Sequence, residues 1–243
     1  MPSIRINEEA GVRYLQFGAH WIQGAMRINR PWSLELEYTR DMMFPLLRRP
    51  GTAWPRSVLL IGLGAASLTK FVYRHVPAAR LEVVEIDPEV VMTAWQFFAL
   101  PQESRRLRIE IGDGYEHVTK TRKRYDLVLV DGFDAKVRAG DLDSPAFYRN
   151  CRARLNPGGM MATNLVSRRG RPTASIDRIR RAFDDRVLAL PPNEANTVAI
   201  ASAGGSILVG KDELRDRARK LRTRTGLNLL PTIARLDSDD LII

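Results

Sequence analysis

The chain has 243 residues, 44% hydrophobic and 27% charged, a globular composition that excludes disordered, collagenous and low-complexity proteins. No apolar run approaches the roughly 18 residues of a membrane span, and the start MPSIRINEEAGVRY lacks the basic lead and apolar core of a secretory signal, so a cytoplasmic protein without membrane partners is expected. The formal charge is +10, with 14 basic against 7 acidic residues between Arg168 and Arg224; on helix-like stretches this reads as a solvated basic face rather than a nucleic-acid footprint.

Residues 1 to about 34 read as a β appendage. Val12 to Phe17 and Trp21 to Ile28 are β-branched and apolar runs separated by Gly18-Ala19-His20, the pattern of a hairpin. Such a hairpin is unstable alone and must pack on the main domain or on a second copy, with Trp21 and Ile22 as anchors. Leu36 to Leu47 predicts a helix that ends in a Pro- and Gly-containing loop through Pro55. The division expected is 1–48, the appendage and its connecting helix, and 49–243, the main α/β domain.

From Arg56 the pattern alternates. Ser57 to Ile61 is a continuous apolar run, as in a strand buried on both faces. Leu68, Phe71, Val72 and His75 form one helix face, Leu81 to Ile86 a second strand, and Asp87-Pro88 a helix start. Leu107 to Ile111 and Asp126 to Val130 are further strands. Ser144-Pro145 opens a helix running through Phe147, Tyr148, Cys151 and Leu155, and Met160 to Leu165 is a fifth strand. Thr197 to Ala201 and Ser206 to Val209 predict a closing antiparallel pair. The fold class is α/β, a doubly wound, mostly parallel Rossmann-like sheet with the small amino-terminal hairpin appended.

In such sheets ligands bind at the carboxyl ends of the strands. Here those ends are Gly62-Leu63-Gly64, Glu85-Ile86-Asp87, Gly112-Asp113-Gly114 and Asp131-Gly132-Phe133-Asp134. Gly62 and Gly64 let the backbone turn closely into a helix amino terminus, and Glu85, about 20 residues on, stands where an acid accepts both hydroxyls of a ribose. Asp113 can contact an adenine amino group or cap a helix. The single Cys151 excludes a disulfide framework, and His20, His75 and His117 have no ligand-like spacing, so no metal is expected.

The ordered segments VLLIGLGAASLTKFVYRHVP, LEVVEIDPEV, IGDGYEHV and DLVLVDGFD resemble the spermidine synthase (polyamine aminopropyltransferase) family, itself built like class I methyltransferases. The resemblance spans roughly Tyr14 to Leu165. It implies that Gln23, Gly62, Gly64, Glu85, Asp113 and Gly114 hold the nucleoside, with Glu85 on the ribose and Asp113 on adenine. It implies further that Asp131 helps deprotonate the attacking amine while Asp134 and Tyr38 hold the acceptor, and that the chain forms a homodimer or homotetramer. Four positions depart from the family pattern: Ala65 replaces a loop aspartate, Thr39-Arg40 replaces His-Glu after Tyr38, and Ala135 replaces a proline.

The leading expectation is therefore transfer of an aminopropyl group from decarboxylated S-adenosylmethionine to a polyamine-like small-molecule amine. The runner-up is methyl transfer from intact S-adenosylmethionine, whose carboxylate Ala65 at a helix amino terminus tolerates. A third reading is a non-catalytic protein that binds nucleosides or nucleic acid on the same fold.

Overall fold

The computed structural model describes residues 4–17, 21–48, 53–134, 138–166, 171–193, 195–205 and 209–236, and leaves the Trp21 side chain undescribed. The amino-terminal unit is a three-stranded antiparallel sheet, β1 (Ile4–Glu9), β2 (Val12–Phe17) and β3 (Trp21–Arg27). The expected hairpin thus gains a strand before it. β1 is mostly exposed and its alternation is muted, so the polar run Asn7-Glu8-Glu9 hides it in the sequence. Between Leu15 and Gln16 the register slips, with Leu15 opposite Gly24 and Gln16 opposite Ile22. Gln23 is the extra residue of a β-bulge, a device that re-aims a side chain.

The expected connecting helix is split into α1 (Glu37–Asp41) and a 3-10 turn at Phe44–Leu47. Behind α1, buried Asp41 accepts hydrogen bonds from Thr232 Oγ1 (2.6 Å) and Arg235 (2.5 Å). The carboxyl-terminal segment thereby fixes the helix that carries Tyr38.

The main unit runs β4 (Ser57–Ile61), α2 (Ser67–His75), β5 (Arg80–Glu85), α3 (Pro88–Phe97), β6 (Leu107–Ile111), α4 (Gly114–Lys120), β7 (Tyr125–Val130), α5 (Pro145–Ala153), β8 (Leu155–Val166), α6 (Thr173–Phe183), β9 (Val187–Ala189), β10 (Asn196–Ser202), α7 (Lys211–Thr225) and α8 (Leu230–Ala234). The sheet order is β6-β5-β4-β7-β8-β10-β9. Pairing is parallel from β6 through β8, and β10 is antiparallel to both β8 and β9. β4 lies between β5 and β7, so the chain reverses its direction of travel across the sheet there, and crevices open at such points.

Alternation along the strands builds two cores. Val58, Leu60, Leu127 and Leu129 face Phe71, Val91, Leu221 and Ile233 on one side, while Leu59, Ile61, Val128 and Val130 face Val118, Phe147, Cys151 and Ile179 on the other. Truncating such a residue to Ala costs about 2 to 5 kcal/mol. Residue-level differences from expectation have local causes. Leu155 belongs to β8 rather than to α5, because the helix ends at Ala153 and the Asn156-Pro157-Gly158-Gly159 segment enters the strand. β10 pairs with β8 and, upstream, with β9; of the expected partner Ser206 to Val209, residues 206–208 lie outside the described residues and Val209 is in no strand. Helix α4 was not anticipated, since at seven residues it is too short for a periodic signal. Within the described residues no helix is long and apolar enough to cross a membrane.

Candidate active site

At the carboxyl ends of β4, β5, β6 and β7 lies a cavity of about 370 Å³. All nine residues singled out from the sequence line it: Gln23, Tyr38, Gly62, Gly64, Glu85, Asp113, Gly114, Asp131 and Asp134.

One half is made by turn geometry. Gly62 has φ +90, and a Cβ there would come within 2.3 Å of the Asp131 carbonyl oxygen, so both backbone conformation and space require glycine. A Cβ on Gly114 would meet Ile61 Cγ2 at 2.3 Å, which keeps α4 close against β4. The bulge lays Gln23 over this turn, its carbonyl 3.4 Å from where a Gly64 Cβ would stand. Ser67 Oγ donates to the Ala25 carbonyl at 3.2 Å, tying α2 to β3.

Glu85 is 8% exposed. Its Oε2 accepts the Leu63 N–H at 2.7 Å and its Oε1 the Asp87 N–H at 3.0 Å. Burial pushes its pKa up while these backbone donors hold it down, with burial prevailing. Each oxygen keeps a lone pair, so the carboxylate can accept hydroxyl hydrogen bonds while its orientation stays locked. Asp113 caps α4: Oδ1 accepts from Tyr115 N (2.7 Å) and Glu116 N (3.0 Å). The capping alternative for this residue is therefore realised, and it directs the remaining carboxylate surface of a cavity-lining residue.

The other half centres on Asp131, at the end of β7. Tyr38 OH donates to Asp131 Oδ2 at 3.1 Å and Asn164 Nδ2 to Oδ1 at 3.0 Å. Burial raises the Asp131 pKa from its ordinary value against these two hydrogen bonds. Burial, followed by the neighbouring carboxylate, raises that of Tyr38 well above its ordinary value. Such a group is a better proton acceptor than an exposed aspartate. Asn164, on β8, was missed in the sequence. Strand pattern alone cannot separate an inward polar residue from a buried structural one, and Asn164 lies 33 residues from its partner.

Asp134 lines the cavity but is paired within its own loop. Arg138 Nε donates to its Oδ2 at 2.8 Å, the guanidinium approaches to 2.6 Å, and Arg138 N donates to Oδ1 at 2.9 Å. Arg138 also lines the cavity. Of the divergent positions, Thr39 lines the cavity, while Arg40 turns away and donates to the carbonyls of Leu34 (3.1 Å) and Glu35 (2.6 Å). Ala65 is 2% exposed and packs against β3, where a Cβ on Gly24 would lie 2.5 Å from its own. Ala135 lies outside the described residues. Ile22, expected as a packing anchor, is 48% exposed and lines the cavity mouth.

Away from the cavity, Glu82, Glu110 and His117 bring ligand-type atoms within 4.8 Å of one another. Glu82 is occupied there by Lys123 Nζ (2.7 and 3.0 Å) and the Tyr125 hydroxyl (2.9 Å), so the chain's own donors close the network. On basic α7, arginines pair with acids of the same helix: Arg215 with Asp212, Arg217 with Glu213, and Arg219 with Asp216.

The family model of the spermine/spermidine synthase domain matches residues 35–168, the segment that runs from α1 through β8 and carries every cavity element except β2, β3 and β10. The chain belongs to the spermine/spermidine synthase family. Among curated relatives, the polyamine aminopropyltransferase of Chromobacterium violaceum is 35% identical over 97% of this chain and 90% of its own. The eEF1A lysine and N-terminal methyltransferase of Danio rerio is 35% identical over 53% of this chain and 20% of its own. Of solved structures, a spermidine synthase in complex with the transition-state analogue AdoDATO covers 98% of this chain and 88% of its own at 18% identity, with a TM-score of 0.70. That likeness bears on the fold: a mostly parallel methyltransferase-type sheet with an antiparallel amino-terminal unit.

Proposed function

We propose that this protein transfers the aminopropyl group of decarboxylated S-adenosylmethionine to a small primary amine, releasing methylthioadenosine and a proton. The observation that carries the reading is Asp131: a buried carboxylate with a raised pKa, held by Tyr38 and Asn164, in the same cavity as the turn and acid that suit a nucleoside. Family membership and the full-length aminopropyltransferase relative support it.

In this mechanism Gly62, Gly64 and Gln23 admit the nucleoside, Glu85 accepts its ribose hydroxyls, and Asp113 and Gly114 border the base. The amine arrives protonated and passes a proton to Asp131. Its nitrogen then attacks the propyl carbon next to sulfur; the N–C bond forms as the C–S bond breaks, and that electron pair stays on sulfur as a neutral thioether. The sulfonium charge vanishes during the step, so a fixed carboxylate that takes up the proton matches the changing charge. Tyr38 keeps Asp131 oriented, and the loop of Asp134 flanks the acceptor.

Methyl transfer from intact S-adenosylmethionine is the second reading, and two observations favour it. No acid stands at Ala65 to repel a carboxylate, and Asp134 is engaged by Arg138 rather than available to a second ammonium. Incubation with each nucleoside and an amine separates the readings. Methylthioadenosine as product supports aminopropyl transfer, and adenosylhomocysteine overturns it in favour of methyl transfer.

A further inference from the structure

Asn164 is 5% exposed and lines the cavity, and its Oδ1 is buried without a hydrogen-bond partner among the described residues. The orientation of its amide is not free. Nδ2 donates to Asp131 Oδ1 at 3.0 Å, and the flipped amide would set its oxygen against a carboxylate oxygen. The chain thus fixes a carbonyl-type acceptor beside Asp131, with no donor for it among the described residues. A buried acceptor left unmade bears the desolvation cost of a polar atom with no return, so a donor is expected from a molecule that enters the cavity.

We propose that Asn164 Oδ1 accepts an N–H of the acceptor's amine while Nδ2 of the same side chain holds Asp131, making Asn164 a substrate-binding residue that couples the base to the nucleophile. The inference rests on the aminopropyl-transfer reading. A primary ammonium that has given one proton to Asp131 retains two N–H bonds and a lone pair. If one N–H is held by Asn164, rotation about the amine's C–N bond is restricted and the lone pair is aimed at the propyl carbon, a contribution of orientation. Tyr38, on the other oxygen of Asp131, gives its hydroxyl proton to the carboxylate, whereas the amide oxygen of Asn164 is the atom left buried with no donor among the described residues. The hydrogen bond from Asn164 also opposes the burial that raises the Asp131 pKa, so its loss moves that pKa further up.

The test compares wild type, Asn164→Leu and Asn164→Ala by methylthioadenosine release, with 1,4-diaminobutane and its N,N,N′,N′-tetramethyl derivative as acceptors. Nucleoside affinity by calorimetry is expected to change less than threefold in both variants, which reports an intact fold. KM for the diamine is expected to rise about tenfold or more, and the acidic limb of kcat/KM to move to higher pH, because the base must be deprotonated. The limb reports loss of the Nδ2 bond to Asp131, and the Oδ1 contact is read from the comparison of acceptors with and without N–H bonds. A measurement on wild type alone guards against a variant that does not fold: the tetramethyl acceptor has no N–H left once deprotonated, so it is expected to be at least tenfold poorer, and the gap is expected to shrink in Asn164→Ala. Equal use of the two acceptors by wild type, or wild-type KM and pH limb in folded Asn164→Leu, overturns the contact while leaving aminopropyl transfer standing. No methylthioadenosine from any amine, with nucleoside still bound, overturns both.

Discussion

The two halves of the cavity are built differently. The nucleoside half is made of strand ends whose working atoms are already committed to the backbone: Glu85 to Leu63 and Asp87, Asp113 to Tyr115 and Glu116, Gly62 to a close approach by Asp131. The acceptor half is assembled from side chains that hold one another, with Tyr38 and Asn164 on Asp131 and Arg138 on Asp134. The first arrangement is rigid and specifies little beyond a ribose and a base. The second holds its carboxylates through side chains, and under the proposed mechanism it is where the acceptor is chosen.

The sharpest way to break this division is at Asp131. Asp131→Asn is expected to lower turnover by roughly two to four powers of ten while nucleoside affinity stays within a few fold. Single-turnover kinetics with calorimetry would show it, and a matching collapse of nucleoside binding would mean that the halves are one unit. In the wild type the raised pKa of Asp131 sets a sign for pH. Activity is expected to grow as pH rises through a limb above the ordinary aspartate value and to be lost below it, because the protonated acid cannot accept the amine's proton. A limb at or below the usual aspartate value would remove Asp131 as the base.

Glu85→Gln should sharpen the comparison from the other side. An amide places N–H groups against the Leu63 or Asp87 N–H and loses one acceptor, so nucleoside affinity is expected to weaken by about 1 to 3 kcal/mol. KM for the amine, measured at saturating nucleoside, should move little. A shift confined to the amine would contradict the assignment of Glu85 to the nucleoside half.

The same division governs what could be read without a structure. The nucleoside half follows contiguous signals: an apolar run that ends in Gly62-Leu63-Gly64, and another that ends in Glu85. Glycine and acid at strand ends are local chemistry, and the parallel core of the sheet follows from the same alternation. The acceptor half depends on contacts across the chain, with Tyr38 93 residues from Asp131, and no periodicity announces Asn164 or Arg138. The resemblance named Asp131, Asp134 and Tyr38, yet it could not foretell that Asp134 is paired. In the periphery the failures have similar causes. β1 lacks alternation, and the three-residue β9 is shorter than any pattern can mark.

Arg138 offers the smallest and most selective prediction. A diamine brings two positive charges, and Asp131 answers one of them; the second needs Asp134, whose carboxylate already lies 2.6 Å from a guanidinium nitrogen. Both partners are substantially exposed, 68% for Arg138 and 41% for Asp134, so the pair is screened by solvent and contributes only about 0 to 1 kcal/mol to stability. Arg138→Gln is therefore expected to leave thermal stability and nucleoside affinity nearly unchanged. It removes one positive charge from the cavity wall, so KM for 1,4-diaminobutane is expected to fall by about three- to tenfold, the scale of one partly screened charge contact. A monoamine of the same length should gain less, because it brings one positive charge rather than two past the wall that has lost a guanidinium. The comparison of the two amines in wild type and Arg138→Gln, repeated at low and high salt, decides the point: equal gains for both would show that Arg138 acts by bulk, and an increased KM for the diamine would mean that the Asp134–Arg138 pair itself shapes the acceptor site.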